Sequence, residues 1–322
     1  MTERIVVLDG YTLNPGDIDW DPVALLGDLE IHDRTAPDQV VARCKGASCV
    51  LLNKTLFAGD TLTELPDLRY VGVLATGYNI VDVHAAASQG VVVTNIPTYG
   101  TDSVAQHVAA LMLEFARGIA VHDEAVHHGQ WTNSADWCFS LQPMFELTGK
   151  TLGVVGIGRI GLAVARIGAA MGMKLVAHDP FWPDAENPGG LSIQRLELDE
   201  LFSAADVITL HCPLTSENQH LVNARRLSLM KSNAILINTS RGPLVENQAL
   251  ADALCDKVIA GAALDVLDIE PPPADNPLLH APNCIVTPHI AWNAIEARQR
   301  LMQIAADSLQ AFLAGKPVNV VS

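Results

Sequence analysis

Basic side chains are scarce in this chain: 20 lysines and arginines stand against 36 aspartates and glutamates, giving a net charge of −16 over 322 residues. A chain so acidic offers no broad basic face, which excludes nucleic acid and anionic membrane as expected partners. Small ligands feel only the local field, so the net charge leaves them open. Long apolar runs are also missing; none reaches the roughly 20 residues that span a bilayer. The start, "MTERIVVLDG", carries charge and passes straight into a strand-like run, so no signal peptide is read and a cytoplasmic place is expected. The six cysteines, Cys44, Cys49, Cys138, Cys212, Cys255 and Cys284, form no Cys-x-x-Cys pair. Several sit in apolar runs such as "SCVLLN" and "CIVTPHI", the setting of buried reduced thiols. No His-x-x-x-His spacing occurs among the eleven histidines, and no metal is expected. Internal repeats, low-complexity segments and charged tails are absent.

What is present is alternation. The first hundred residues carry five β-like runs, "IVVLDG", "LEIHD", "SCVLLN", "LRYVGVLA" and "GVVVTNIP", separated by helical stretches such as "PDQVVARCKG". Strands alternating with helices predict an α/β fold with a parallel sheet covered on both faces. A long helix is predicted in "GTDSVAQHVAALMLEFARGIAVHDEAVHHG", with Ser103 as its cap. An irregular stretch comes next, "QWTNSADWCFSLQPMFELTG", holding Trp131, Trp137, Phe139 and Phe145. Aromatics on such a connection are expected to pack against the protein's own surface or a partner subunit. From residue 151 the alternation resumes with six runs: "TLGVVG", "KLVAHD", "DVITLHC", "AILINTS", "VIAGAALDV" and "CIVTPH". Six strands led by a glycine fingerprint predict a doubly wound nucleotide-binding sheet. The chain is long enough for two such domains.

The fingerprint is "GIGRIG", with Gly156, Gly158 and Gly161 between a strand and a helix. The first glycine allows the tight turn, the second lets backbone approach a pyrophosphate, and the third lets helix pack close to strand. The helix N-terminus then turns free N–H groups and its positive dipole end toward phosphate. About 20 residues on, at the end of the second strand, stands Asp179. A carboxylate there accepts hydrogen bonds from ribose hydroxyls and repels a 2′-phosphate, so NAD(H) is expected rather than NADP(H).

Ligands of open α/β sheets bind at the carboxyl ends of strands. After "AILINTS" comes Arg241, after "VIAGAALDV" comes Glu270, and after "CIVTP" comes His289. Together they suit reduction of a 2-keto acid. Arg241 can hold a carboxylate by two parallel N–H bonds and polarise the keto oxygen. His289 titrates near neutrality and can give or take a proton. Glu270 beside it would favour the imidazolium and orient the ring. A nicotinamide would carry the hydride.

These motifs, with "HCPLT", "INTSRG", "LDVLDIEPPP" and "TPHIAWN" in the same order, resemble the D-isomer-specific 2-hydroxyacid dehydrogenases along essentially the whole chain. The resemblance implies a Rossmann NAD-binding domain, residues 99–290, inserted into a flavodoxin-like substrate domain, residues 1–98 plus 291–322, with the active site in the cleft between them. It implies Arg241 as substrate anchor, His289 as acid/base and Glu270 as its partner. Gly156, Gly158, Gly161 and Asp179 match cofactor positions. Arg159 and Ile160 of the same loop, Cys212, Pro213 and Thr239 join them, with Asp265 near the nicotinamide end. "LATGYNIVDVHAA" looks like the family's substrate carboxylate loop, with Ala75, Thr76 and Gly77 presenting N–H groups. "LLNKTLF" supplies Asn53 and Lys54 nearby.

Within the family, "ATGYN", "NKT" and "SADWCF" resemble the glycerate dehydrogenase (hydroxypyruvate reductase) subgroup, which implies hydroxypyruvate- or glyoxylate-type substrates. The chain departs from the pattern at Ile80, usually a second Asn, and at Ser140, usually Trp. D-3-phosphoglycerate dehydrogenases and NAD-binding corepressors share the motifs and remain alternatives. The resemblance also implies a homodimer embraced through an arm near residues 120–148, with Trp137 or Phe139 helping to close the partner's substrate pocket.

Overall fold

Short runs of aliphatic and β-branched residues become parallel strands wherever helices cover both faces, because such a strand has no wet side to make polar. The computed structural model describes residues 2–182 and 188–322, which form two compact units. Unit 1 comprises residues 1–100 and 292–322, and unit 2 residues 101–291.

Unit 1 holds β1 (Arg4–Val7), β2 (Asp28–Ile31), β3 (Cys49–Leu52), β4 (Tyr70–Val73) and β5 (Val92–Thr94), all parallel in the order β2-β1-β3-β4-β5. That is the flavodoxin-like order. β3 and β4 are buried throughout, whereas β2 lies at an edge and is largely exposed. Val6, Val50, Leu52, Val71 and Val73 pack under Phe57, Leu62 and Ala86 on one face. Ile5, Val7, Leu51 and Tyr70 pack on the other against Leu301, Met302, Ala305 and Leu309 of the last helix, Ile295–Leu313. That helix is held to the N-terminal segment by Arg298, 5% exposed, whose guanidinium reaches both oxygens of Asp17 at 2.6 Å and the Leu13 carbonyl at 3.1 Å.

Unit 2 holds β6 (Thr151–Val155), β7 (Lys174–His178), β8 (Ile193–Arg195), β9 (Val207–Leu210), β10 (Ile235–Asn238), β11 (Gly261–Leu264) and β12 (Cys284–Val286). They form one parallel sheet, β12-β11-β10-β9-β6-β7-β8. The order turns about β6, which has β7 on one side and β9 on the other, so the glycine fingerprint opens at the topological switch point. The sheet has seven strands where the sequence predicts six. The extra one, β8, is a three-residue edge strand whose Gln194 and Arg195 are exposed, so no apolar run announces it.

Two further expectations are corrected. The predicted long helix is two helices, Thr101–Arg117 and Ile119–His127, bent by 60° at Gly118. Gly118 adopts φ 56° and ψ 46°, a left-handed conformation that ends the first helix. Ser103 does not cap: it lies inside the first turn, and its hydroxyl donates to the Ala291 carbonyl at 2.6 Å. Among the described residues no single helix is long and apolar enough to cross a membrane.

Candidate active site

The three fingerprint glycines meet different surroundings. Gly156, at the end of β6, has φ +94°, and a Cβ there would lie 2.6 Å from the Cys212 nitrogen. At Gly161, inside the helix Arg159–Ala170, a Cβ would overlap the Gly156 carbonyl oxygen. Both are therefore fixed by the protein's own packing. Gly158 differs: nothing lies within 4 Å of where its Cβ would be, and it is exposed at the start of the helix. The open space before a helix N-terminus fits the close approach of a pyrophosphate. Arg159 is exposed beside it and Ile160 half-buried.

Asp179, just past β7, is tied to this loop. One carboxylate oxygen accepts from the Ile157 N–H at 2.7 Å, the other from the Phe181 N–H at 2.8 Å. A carboxylate has about four acceptor positions, so it keeps capacity for ribose hydroxyls. Cys212 comes after β9, and its carbonyl accepts from the Ser240 hydroxyl at 2.6 Å. Burial pushes its thiol up to about 11, so it stays protonated at neutral pH. Pro213 next to it is exposed. Thr239, just past β10, carries a buried hydroxyl that meets no partner among the described residues. Leaving such a group unpaired costs roughly 1–3 kcal/mol, so a ligand's polar group suits it. The residues present thus fit a dinucleotide.

The acidic and basic residues sit at the ends of three adjacent strands, β10, β11 and β12. Glu270 and His289 are brought into contact: Glu270 Oε2 lies 2.6 Å from His289 Nδ1, while Oε1 accepts from the Leu267 N–H at 3.0 Å. Their side chains are 32% and 28% exposed, so the pair is sheltered but open to a ligand. His289 has φ +55°, in the left-handed region. Arg241 is exposed, with one Nη donating to the Ser240 carbonyl at 2.8 Å. The next residue, Gly242, is pressed so tightly on Leu267 that a Cβ would overlap the Leu267 carbonyl. The Arg241 loop therefore rests on the same residue whose N–H holds Glu270.

Asp265 is 1% exposed. Its carboxylate accepts from the Thr287 hydroxyl at 2.6 Å and from the N–H groups of Ile290 and Ala291 at 2.9 and 2.8 Å.

The expected substrate residues belong to unit 1. Asn53 is buried and Lys54 exposed at the end of β3. Their loop is built on Asp9, whose carboxylate accepts from the N–H groups of Asn53, Lys54 and Thr55 at 2.7, 2.6 and 2.8 Å. Asp9 stands at the end of β1, a strand-end position of the same kind as those of Arg241 and His289, and that position is the sequence signal that marks it. Ala75, Thr76 and Gly77 come after β4. The bonds that pin them use the Ala75 and Thr76 carbonyls and the Thr76 hydroxyl, all engaged by Asn95 and Ile96.

The family model described as D-isomer specific 2-hydroxyacid dehydrogenase, NAD binding domain, matches residues 109–291. The chain belongs to the D-isomer-specific 2-hydroxyacid dehydrogenases. It is 48% identical to a hydroxypyruvate reductase of Blautia hydrogenotrophica over 99% of both chains. It is 40% identical to a glycerate dehydrogenase of Methylorubrum extorquens over 100% of this chain and 99% of that one. The crystal structure of an NADPH-dependent glyoxylate/hydroxypyruvate reductase from Sinorhizobium meliloti, bound to NADP and malonate, superposes with a TM-score of 0.84 at 30% identity. It covers 100% of this chain and 97% of that one. The chain is thus an oxidoreductase of this family, built to use a nicotinamide cofactor.

Proposed function

We propose that this dehydrogenase reduces small 2-keto acids of the hydroxypyruvate and glyoxylate type to D-2-hydroxy acids, using NADH. The observation that carries the reading is the 2.6 Å contact between Glu270 and His289 beside the strand end that bears Arg241. The glycine loop and Asp179 would hold the nicotinamide cofactor, which would supply the hydride to the keto carbon. Glu270 engages Nδ1, and Nε2 of His289 donates a proton to the keto oxygen and takes it back in the reverse direction. Arg241 pairs with the substrate carboxylate and polarises the carbonyl. Asn53, Lys54 and the N–H groups of Ala75, Thr76 and Gly77 are assigned to the substrate carboxylate.

Asp179 supports NADH over NADPH. Two like charges about 4 Å apart near a protein surface repel by at most ~4 kcal/mol. The arm supports a two-fold homodimer. Trp131 and Trp137 are 54% and 86% exposed, and Trp131 Nε1 donates to the Trp137 carbonyl at 2.9 Å. Leu141 and Met144 on the same stretch are also exposed. An apolar patch of this kind is the usual mark of an interface.

The test is turnover of purified protein with NADH and NADPH against hydroxypyruvate, glyoxylate, 3-phosphohydroxypyruvate and larger 2-keto acids. The highest kcat/KM should fall on NADH with hydroxypyruvate or glyoxylate. No turnover with any of them would leave a binding module, such as a corepressor, as the better account.

A further inference from the structure

His289 holds a backbone conformation that a non-glycine residue adopts only at an energetic cost, so its surroundings must impose it. The residues on either side are fixed by one buried group. Asp265 accepts from the Thr287 hydroxyl before His289 and from the Ile290 and Ala291 N–H groups after it. Asp265 is 1% exposed, and His107 Nε2 lies 3.7 Å from it. Between them stands the Thr287 hydroxyl, 2.6 Å from Asp265 Oδ1 and 3.2 Å from His107 Nε2. A hydroxyl has one proton. Thr287 donates it to Asp265, so its oxygen is left to accept from an Nε2–H of His107. His107 lies on the helix Thr101–Arg117, far in sequence from the catalytic loop.

We propose that His107 and Thr287 are positioning residues for the reaction. They form a relay, from His107 through Thr287 to Asp265 and on to the backbone of residues 290 and 291, that holds His289 in its left-handed conformation with its ring on Glu270. The proposal rests on the reading of His289 as the acid/base group. A hydroxyl and two N–H groups hold the buried carboxylate, and His107 places an N–H dipole behind the hydroxyl.

The test uses near-isosteric pairs. Thr287→Val removes the hydroxyl and keeps the shape, while Thr287→Ser keeps the hydroxyl. His107→Gln keeps an N–H donor at the Nε2 position, while His107→Phe removes it. For Thr287→Val and His107→Phe, kcat for keto acid reduction should fall on the order of 10- to 100-fold, the usual consequence of a misplaced catalytic group. Affinity for NADH, read by fluorescence titration, should not change. The solvent deuterium isotope effect on kcat should rise as proton transfer becomes slower than the other steps. Thr287→Ser and His107→Gln should recover most of the lost turnover. Wild-type kcat in both Thr287→Val and His107→Phe would overturn the relay. So would equal losses in each pair of variants, since the shape and not the hydrogen bond would then matter. His289→Ala is measured alongside: if it keeps turnover the acid/base assignment itself fails, whereas an inactive His289→Ala beside a fully active Thr287→Val removes only the relay.

Discussion

Glu270 Oε2 and His289 Nδ1 lie 2.6 Å apart, and the second Glu270 oxygen is held by the Leu267 N–H. The carboxylate is thus fixed before any ligand arrives, and it holds the imidazole through Nδ1. Glu270→Ala removes that anchor and leaves the ring free to turn. A catalytic group misplaced by about 1 Å can cost on the order of 10²-fold in rate, so kcat for keto acid reduction should fall by up to about that factor while NADH binding is retained. Steady-state kinetics of the variant against wild type decide this, and an unchanged kcat would separate Glu270 from His289 function.

Gly242 binds two parts of the site into one piece. Since a Cβ there would overlap the Leu267 carbonyl, Gly242→Ala must push the Arg241 loop away from the segment that carries Glu270. A displacement near 1 Å of a catalytic group can lower the rate on the order of 10²-fold. We expect KM for the keto acid to rise and kcat to fall together, with NADH affinity little changed. Steady-state kinetics indistinguishable from wild type would show that the contact relaxes without consequence.

Asp179 accepts from the glycine loop, and on the proposed reading it also faces the ribose, so one substitution tests both. Asp179→Ala should narrow the preference for NADH over NADPH by removing repulsion of the 2′-phosphate. It should also weaken binding of both cofactors, because the Ile157 N–H in the glycine loop loses its acceptor. Dissociation constants for the two cofactors measure both effects. Equal use of NADPH by the wild type would mean that Asp179 does not face the 2′ position.

Asp9 shapes the loop that presents Asn53 and Lys54 by accepting three backbone hydrogen bonds. Each such bond to a carboxylate is worth about 1.5–3 kcal/mol. In Asp9→Ala, KM for the keto acid should increase roughly tenfold or more, about the equivalent of one such bond. NADH binding should be untouched. A normal KM would remove this loop from substrate recognition.

Trp137, 86% exposed, tests the arm. Light scattering at micromolar concentration should give a dimeric mass for the wild type. Trp137→Ala should weaken the dimer or shift the substrate ranking, and a monomeric wild type would refute the interface.

Both sheets, the glycine loop, and the strand-end residues Arg241, Glu270 and His289 could be read from sequence because each rests on a local pattern: an apolar run, a glycine spacing, or the residue just past a strand. The features that escaped depend on partners distant in the chain. β8 gains its place from pairing with β7, not from its own polar residues. Gly118 sits in a run that is helical on both sides, and only its left-handed backbone shows the break. Ser103 looks like a cap until its hydroxyl is seen on Ala291, and Thr287 looks like an ordinary strand end until it meets Asp265 and His107. The Asp265 carboxylate engages the backbone after His289, a contact between residues more than 20 apart in sequence that no local pattern announces.

The central claim is that His289 moves the proton. The most direct measurement is kcat of His289→Ala with NADH and hydroxypyruvate, paired with fluorescence titration of NADH. General acid catalysis typically contributes roughly 10²- to 10⁴-fold, so kcat should fall by about that factor while NADH binding is retained. A His289→Ala enzyme that binds NADH and turns over at a near-normal kcat would contradict the account.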